Sequence, residues 1–196
     1  MATVHDVAAA VLERQGRTTA MKLEKLVYYC QGWHLARHGS PLFDEPIEAW
    51  RQGPVAPALY KHHRQQRDVT TWPLGSAGHL TPVELSTVIW VVSEYGEFSA
   101  GELSEMTHRE LPWKAARAGL PDSQPSDAPI STELMRMYYA RQIAEAETSV
   151  ELATSNAAIE GIEFTEEWQN RLRDVATGRI SADDLVAEVI GRIRRE

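Results

Sequence analysis

The chain has 196 residues and a formal net charge of −8, with 43% hydrophobic and 24% charged residues. This length suits one good-sized globular domain with an appendage, and it leaves no room for a second full domain. No apolar run approaches the roughly 20 residues of a membrane-spanning helix, and the acidic balance disfavours nonspecific binding to nucleic acid, so a basic partner fits the charge better.

The N-terminal segment predicts a helix and no export signal. Residues Met1 to Asp6 lack both the basic end and the continuous apolar segment of a secretory signal, so we expect a cytoplasmic protein. Thr3 is a suitable N-cap for a helix that runs to about Gln15, and Gly16 ends it.

A second helix is predicted from about Thr19 to His38. Its apolar residues share one face: Leu23, Leu26, Val27, Cys30 and Trp33. Lys22, Lys25 and Gln31 are predicted to lie largely off that face. Cys30 is the one cysteine of the chain, so it cannot form an internal disulfide, and we expect it to be buried as a small hydrophobic residue.

The middle of the chain predicts a small β element. Residues Pro46–Arg51 alternate between apolar and polar side chains, as a short strand does, and Gly53-Pro54 is predicted to break that strand. A helix is expected to begin at Pro57. Residues Asp68–Leu80 are predicted to form a loop with a second short strand at Val69–Trp72.

Three further helices are predicted before a proline-rich loop. Thr81 and Glu84 have the spacing of a capping box and begin a helix to about Tyr95. Ser99 begins the next helix, and Pro112 leads into a short helical stretch through Arg117. Residues Gly119–Pro129 contain three prolines and are predicted to be a loop.

The organisation is predicted to change after Ser149. A helix opened by Ser131 fades there, which gives a globular domain at residues 1–149 and a C-terminal helical arm at 150–196. The arm has helix patterns at Thr165–Ala176 and Ser181–Arg194. Because it is too small to bury this apolar surface by itself, it must dock on the domain, on a second copy, or on another protein.

The sequence contains no recognisable catalytic, cofactor or metal motif. His34 and His38 are spaced to share one helix face, but they lack the third ligand that a zinc site requires, and the adjacent His62 and His63 point in different directions. Surface histidines are therefore predicted at these positions. A nucleophile elbow and a phosphate-binding glycine loop are both missing, so we predict a non-enzyme without metal or cofactor.

The tryptophans divide into two groups. Trp33 and Trp90 fall on apolar helix faces and are predicted to be core residues. For Trp50 and Trp113, which stand beside Gly53-Pro54 and Pro112, core and functional edge remain open alternatives.

Three sequence blocks resemble a known family. Met21–Trp33, Ile47–Val55 and Thr107–Trp113 occur in the order typical of the Panacea domain of SocA-like antitoxins, also described as GepA-type proteins. The resemblance covers approximately Val4 to Tyr139. It implies a mainly α fold with a small β element, and a bacterial or phage antitoxin that binds a cognate protein toxin.

The arm resembles the VbhA-type antitoxins of Fic toxins in a shorter segment. Their inhibitory helix has Ser or Thr, three residues, then Glu and Gly or Asn, and Glu160-Gly161 match the last two positions, whereas Asn156 replaces the hydroxyl residue. The resemblance implies that Glu160 pairs with an arginine in the toxin's nucleotide site. The toxin-binding residues predicted on the arm are Asn156, Ile159, Glu160, Gly161, Trp168, Leu172 and Leu185.

The function predicted from the sequence is therefore that of a non-catalytic antitoxin of a type II toxin–antitoxin pair. An alternative is a proteolytic adaptor that delivers a toxin to a protease, as the family resemblance also implies. A second is a hydrolase with an unrecognised site. A homo-oligomer and a protease partner are open alternatives for its assembly.

Overall fold

The computed structural model describes residues 2–161, 163–176 and 185–186. The fold is mainly helical with two small sheets, which confirms the predicted fold class. The helices are α1 (Val4–Gln15), α2 (Ala20–His38), α3 (Pro57–His63), α4 (Pro82–Tyr95), α5 (Ala100–Arg109), α6 (Leu111–Ala116), α7 (Thr132–Ile159) and α8 (Glu166–Ala176). The strands are β1 (Thr18–Thr19), β2 (Glu48–Trp50), β3 (Gly53–Val55) and β4 (Asp68–Val69).

The described residues divide into two compact units, with the division between Tyr139 and Ala140. The domain boundary predicted from the sequence, between Ser149 and Val150, stays a prediction. None of the helices that the structure describes is both long enough and apolar enough to cross a bilayer.

Helix starts follow the capping residues of the sequence. Thr3, Thr81 and Ser99 each accept a hydrogen bond from the backbone of the third helical residue, which returns a carboxylate to the cap. Thr19 caps α2 through the backbone N–H of Lys22. These bonds satisfy N–H groups that the first helical turn leaves without partners, and the predicted starts are confirmed.

Helix α2 lies at the centre of the first unit, where it packs against α1, α4, α5 and β3. Every residue from Leu23 to Leu35 is buried. The prediction that Lys25 and Gln31 lie off the buried face is therefore wrong, because the helix has neighbours on all sides. Gln31 is satisfied locally: its amide donates to the Phe43 carbonyl, and its oxygen accepts from the Leu42 N–H, both at 2.8 Å.

Strands β2 and β3 form a hairpin, so the prediction that Gly53-Pro54 breaks the strand is wrong. Pro54 pairs with Ala49, whose N–H donates outward to Ala128. The pair thus lies at a position without hydrogen bonds between its two strands, where the missing N–H of a proline removes nothing from the ladder. The predicted loop at residues 68–80 contains β4, which pairs with β1, and a 3₁₀ turn at Ala77–His79.

Helix α7 continues past Ser149, where it was predicted to end. It extends to Ile159, and it contains neither glycine nor proline. The hydroxyls of Thr148, Ser149 and Thr154 each donate to the carbonyl four residues earlier, so they do not interrupt the helix. The helix predicted at Ser181–Arg194 lies outside the described residues, except for positions 185 and 186.

Candidate functional site

The predicted toxin-binding residues at the end of α7 are exposed. Asn156 and Ile159 lie in the last turns of the helix, and 84% of Ile159 is accessible to solvent. The backbone N–H of Glu160 donates to the carbonyls of Asn156 and Ala157, which closes the last turn. Gly161 follows with a φ of +81°, a left-handed conformation that glycine adopts without strain.

The remaining predicted arm residues lie on α8 and beyond it. Trp168 and Leu172 are four positions apart on α8 and both are half-buried, as is Leu185. The N–H of Trp168 donates to the hydroxyl of Thr165, which caps α8. The role of these residues in toxin binding stays a prediction.

The three sequence blocks of the first unit meet around Lys25. The Lys25 ammonium is fully buried and donates to the Pro54 carbonyl at 2.8 Å. Burial lowers its pKa to about 8, although the neighbouring Glu24 acts in the opposite direction. A Cβ on Gly53 would lie 2.7 Å from Lys25 Cε and 2.8 Å from Thr107 Oγ1, so these blocks approach as closely as atoms allow.

A buried carboxylate joins the first and third blocks. Glu110 accepts hydrogen bonds from the hydroxyls of Tyr28 at 2.9 Å, Tyr29 at 3.0 Å and Tyr139 at 2.7 Å. Burial raises the pKa of Glu110, and the three hydroxyl donors oppose that shift. The ring of Tyr139 occupies the space that a side chain at Gly32 would fill. This cluster fixes the packing of α2 against the residues before α6.

Trp113 and Arg117 secure the second block from the other side. The Trp113 indole N–H donates to the Trp50 carbonyl at 3.0 Å, and the ring is buried, so Trp113 is a core residue. Arg117 is also buried and donates to the carbonyls of Ala49, Pro121 and Gln124. Its guanidinium carbon lies 4.7 Å from the centre of the Trp113 ring. The proline-rich loop is thereby tied to β2.

Two of the histidines predicted to be on the surface are buried instead. His34 Nδ1 lies 3.0 Å from the Thr87 hydroxyl, and burial lowers the His34 pKa to about 4. His63 Nε2 lies 2.6 Å from a carboxylate oxygen of Glu24. The sequence spacing could not reveal these burials, because the elements that cover the two rings are distant along the chain. His38 and His62 are exposed, as predicted.

A cleft of about 330 Å³ lies beside the second block in the first unit. It is bordered by the start of α2, the turn between β2 and β3, and α3. Trp50 and Tyr60 form an aromatic side of it, with ring centres 4.6 Å apart. Trp50 is half-buried, so its ring stands at the edge of the core.

Sequence reasoning missed Glu24, Lys25 and His63 as partners in this region. Glu24 accepts from the Ala56 N–H at 2.8 Å and also contacts His63, so it joins α2 to the start of α3. The available signal was the presence of two charged residues between Leu23 and Leu26, inside an apolar helix. Such residues are buried only when other groups satisfy them.

The described residues contain no arrangement of three or more His, Cys, Asp or Glu side chains that could hold a metal ion. Cys30 is buried as predicted, and burial raises the pKa of its thiol. A thiol in that state is a poor nucleophile.

Residues 23–114 match the family described as "Antitoxin SocA-like, Panacea domain". The match begins in α2, includes the hairpin and most of the cleft lining, and ends in α6, so it contains all three blocks named above except for the first two residues of the first block. No curated protein gives a significant match, and neither does any solved structure.

Proposed function

Residues 23–114 match the SocA-like Panacea antitoxin family, and on this premise we propose that the chain is the non-catalytic antitoxin of a type II toxin–antitoxin pair. It neutralises a cognate protein toxin by binding it directly. The observation that carries the proposal is the family match. The two compact units of the chain give the toxin two surfaces to bind, and we assign the main role to the arm.

Exposure and chemistry favour the arm as the toxin-binding segment. Ile159 is a large apolar side chain with 84% of its surface accessible, at the end of a long helix. Glu160 beside it is also exposed. An apolar anchor with a charged neighbour at its rim is the usual make-up of a protein interface. Trp168, Leu172 and Leu185 would extend the same interface.

A finer proposal concerns the type of toxin. Glu160 followed by Gly161 is the part of the arm that resembles the inhibitory helix of Fic antitoxins. In this proposal the Glu160 carboxylate pairs with an arginine of the toxin's nucleotide site and prevents productive placement of ATP. Such a pair contributes strongly only when it is bidentate and shielded from water.

Co-expression with the cognate toxin tests the role of the arm. The full chain and a chain that ends at Ser149 are each expressed with the toxin, and growth is measured. We expect rescue by the full chain only. Full rescue by the shorter chain would remove the arm from neutralisation, and repeating the assay in protease-deficient hosts separates occlusion from delivery to a protease.

The Fic-directed mechanism has a matched pair of variants. Glu160→Ala removes the carboxylate that is proposed to pair with the toxin's arginine, whereas Glu163→Ala removes another exposed glutamate of the same arm. We expect the first to lose growth rescue and at least about tenfold in toxin affinity, since a charge-assisted hydrogen bond contributes ~1.5–3 kcal/mol. The second should behave like the parent. Equal behaviour of the two variants would discard the Glu160 mechanism and leave the antitoxin proposal in place.

A further inference from the structure

The cleft beside the hairpin concentrates positive charge on an acidic protein. Lys25, Arg51 and Arg64 all border it, whereas the whole chain has a net charge of −8. The Arg51 and Arg64 residues are exposed, and within the described residues neither guanidinium has an acidic partner at salt-bridge distance. The positive charges of Arg51 and Arg64 are therefore not neutralised by ion pairs within the described residues.

Lys25 has unused capacity to donate hydrogen bonds. Its ammonium carries three N–H groups, and in the part of the chain that the structure describes, its hydrogen-bond acceptor is the Pro54 carbonyl. A fully buried charge is expensive to keep unless it is well partnered. An anion in the cleft beside Lys25 would offset this buried charge.

Glu24, the acidic residue on the cleft wall, is compatible with anion binding in the cleft. Both carboxylate oxygens of Glu24 already have partners, one being the Ala56 N–H and the other His63 Nε2. These contacts hold the carboxylate in the wall. With Lys25, Arg51 and Arg64 counted against Glu24, the lining keeps an excess of positive charge.

Hydrogen bonds and a ring contact position the aromatic side of the cleft. The Trp50 indole N–H donates to Glu48 at 2.6 Å, and the Trp50 carbonyl accepts from Trp113, so the residue is held at both ends. Tyr60 packs edge-on against its ring. A fixed aromatic surface beside cationic groups suits a ligand with a flat apolar part next to its negative charge.

We propose that this cleft binds a carboxylate that is attached to a flat apolar group. Arg51 and Arg64 hold the carboxylate, and Trp50 and Tyr60 hold the apolar part. Lys25 adds positive charge from within the wall. The ligand has two sources with the same chemistry: a free aromatic acid, or a glutamate next to an aromatic residue in a peptide. This proposed binding site is independent of which toxin, if any, the chain binds.

Titration of the full-length protein, followed by amide and indole N–H resonances, tests the site. The probes are phenylacetate, its neutral analogue phenylacetamide, and the acetylated and amidated dipeptide Phe-Glu. We expect saturable shifts at the Trp50 indole and the Gln52 amide with at least one carboxylate probe and none with phenylacetamide. The carboxylate probe that binds more tightly identifies the source.

The variants Arg51→Gln and Arg64→Gln should each weaken that binding at least about tenfold, because each removes a charge-assisted hydrogen bond. Arg67→Gln is the matched control, since Arg67 is exposed nearby but does not border the cleft. All three residues are on the surface, so the variants should fold. Lys25→Met tests the buried ammonium once its spectrum shows a folded chain. Absence of binding by both carboxylates, or binding unaffected by Arg51→Gln and Arg64→Gln, would overturn the proposal.

Discussion

Gly53 occupies a position where both the backbone angle and the surrounding space require glycine. Its φ is +98°, and a Cβ would lie 2.7 Å from Lys25 Cε and 2.8 Å from Thr107 Oγ1. We predict that Gly53→Ala lowers the free energy of unfolding by about 2–4 kcal/mol, from the left-handed backbone and the clash together. Urea unfolding measures this.

Gly39 is the matched control for Gly53, because it has a φ of +73° but a Cβ at this position would have no neighbouring atom within 4 Å. Gly39→Ala should therefore show only the backbone part, about 1 kcal/mol. Equal losses in the two variants would show that contact with Lys25 and Thr107 adds nothing to the requirement for glycine.

Glu110 should make stability depend on pH in a direction opposite to that of most carboxylates. Burial raises the pKa of Glu110. Its contribution to folding stability is therefore present below the ordinary glutamate pKa of about 4.3, and it is lost as the pH rises through the pKa of Glu110 in the folded protein. Glu110→Gln does not titrate. We expect it to be less stable than the parent by about 1–3 kcal/mol at pH 4, with a gap that narrows towards pH 7.

Chemical unfolding of both proteins across this pH range measures the gap. Glu105→Gln, on the exposed side of α5, is the control and should give a small gap at every pH. A gap for Glu110→Gln that widens with pH would mean that the three tyrosine hydroxyls outweigh burial.

At the scale of elements, Asp6 connects the start of α1 to the 3₁₀ turn. Its carboxylate accepts from the Thr3 N–H and hydroxyl, from the Ser76 N–H at 2.9 Å, and lies 2.8 Å from His79 Nδ1. Burial opposes ionisation, but these hydrogen bonds outweigh it and lower the Asp6 pKa. The group therefore stabilises the fold above its ordinary pKa of about 3.9, and this stabilisation is lost as pH falls through the lowered value.

We predict that Asp6→Asn destabilises the protein by about 1–3 kcal/mol at pH 7, and that the difference shrinks as the pH falls below about 4. Thermal or urea unfolding at several pH values checks this. Glu13→Gln on the exposed side of the same helix should change stability by less than about 0.5 kcal/mol. If the parent and Asp6→Asn differed in stability by the same amount at every pH, the negative charge of Asp6 would not be the source of its stabilisation.

The sequence predicts helix starts well and buried polar groups poorly, for a physical reason. Caps such as Thr81 with Glu84 are local, so their spacing is visible in the chain. The burial of Lys25 depends on elements that reach α2 from distant parts of the chain. The hairpin was missed because Pro54 was interpreted as a strand breaker, whereas its partner Ala49 directs its own N–H outward.

The candidate site divides in the same way. The family blocks were visible in the sequence, and residues 23–114 match the family model that these blocks resemble. The cleft was not predicted, because Arg51, Arg64 and Lys25 border one cleft only in the folded chain. Along the continuation of α7 to Ile159, hydroxyls bond to carbonyls within the helix, which spacing alone does not reveal.

At the scale of the whole molecule, the first unit contains its own polar network. Glu110 and its tyrosine partners, Lys25 with Pro54, and Arg117 with its carbonyls all lie within residues 1–139. We therefore predict that a chain ending at Ser149 unfolds in one cooperative transition, measured by circular dichroism and by tryptophan fluorescence with coincident midpoints. Failure of this fragment to fold would show that the first unit requires the rest of the chain.

Arg117 has a consequence for handling the protein at the bench. The bond after this residue lies at the start of a loop with three prolines, where trypsin would ordinarily cut an exposed chain. The guanidinium that must enter the specificity pocket of trypsin is instead buried and hydrogen-bonded to three carbonyl groups of the fold. Scission at Arg117 thus requires the loop to detach first, and its rate reads out how often that opening occurs.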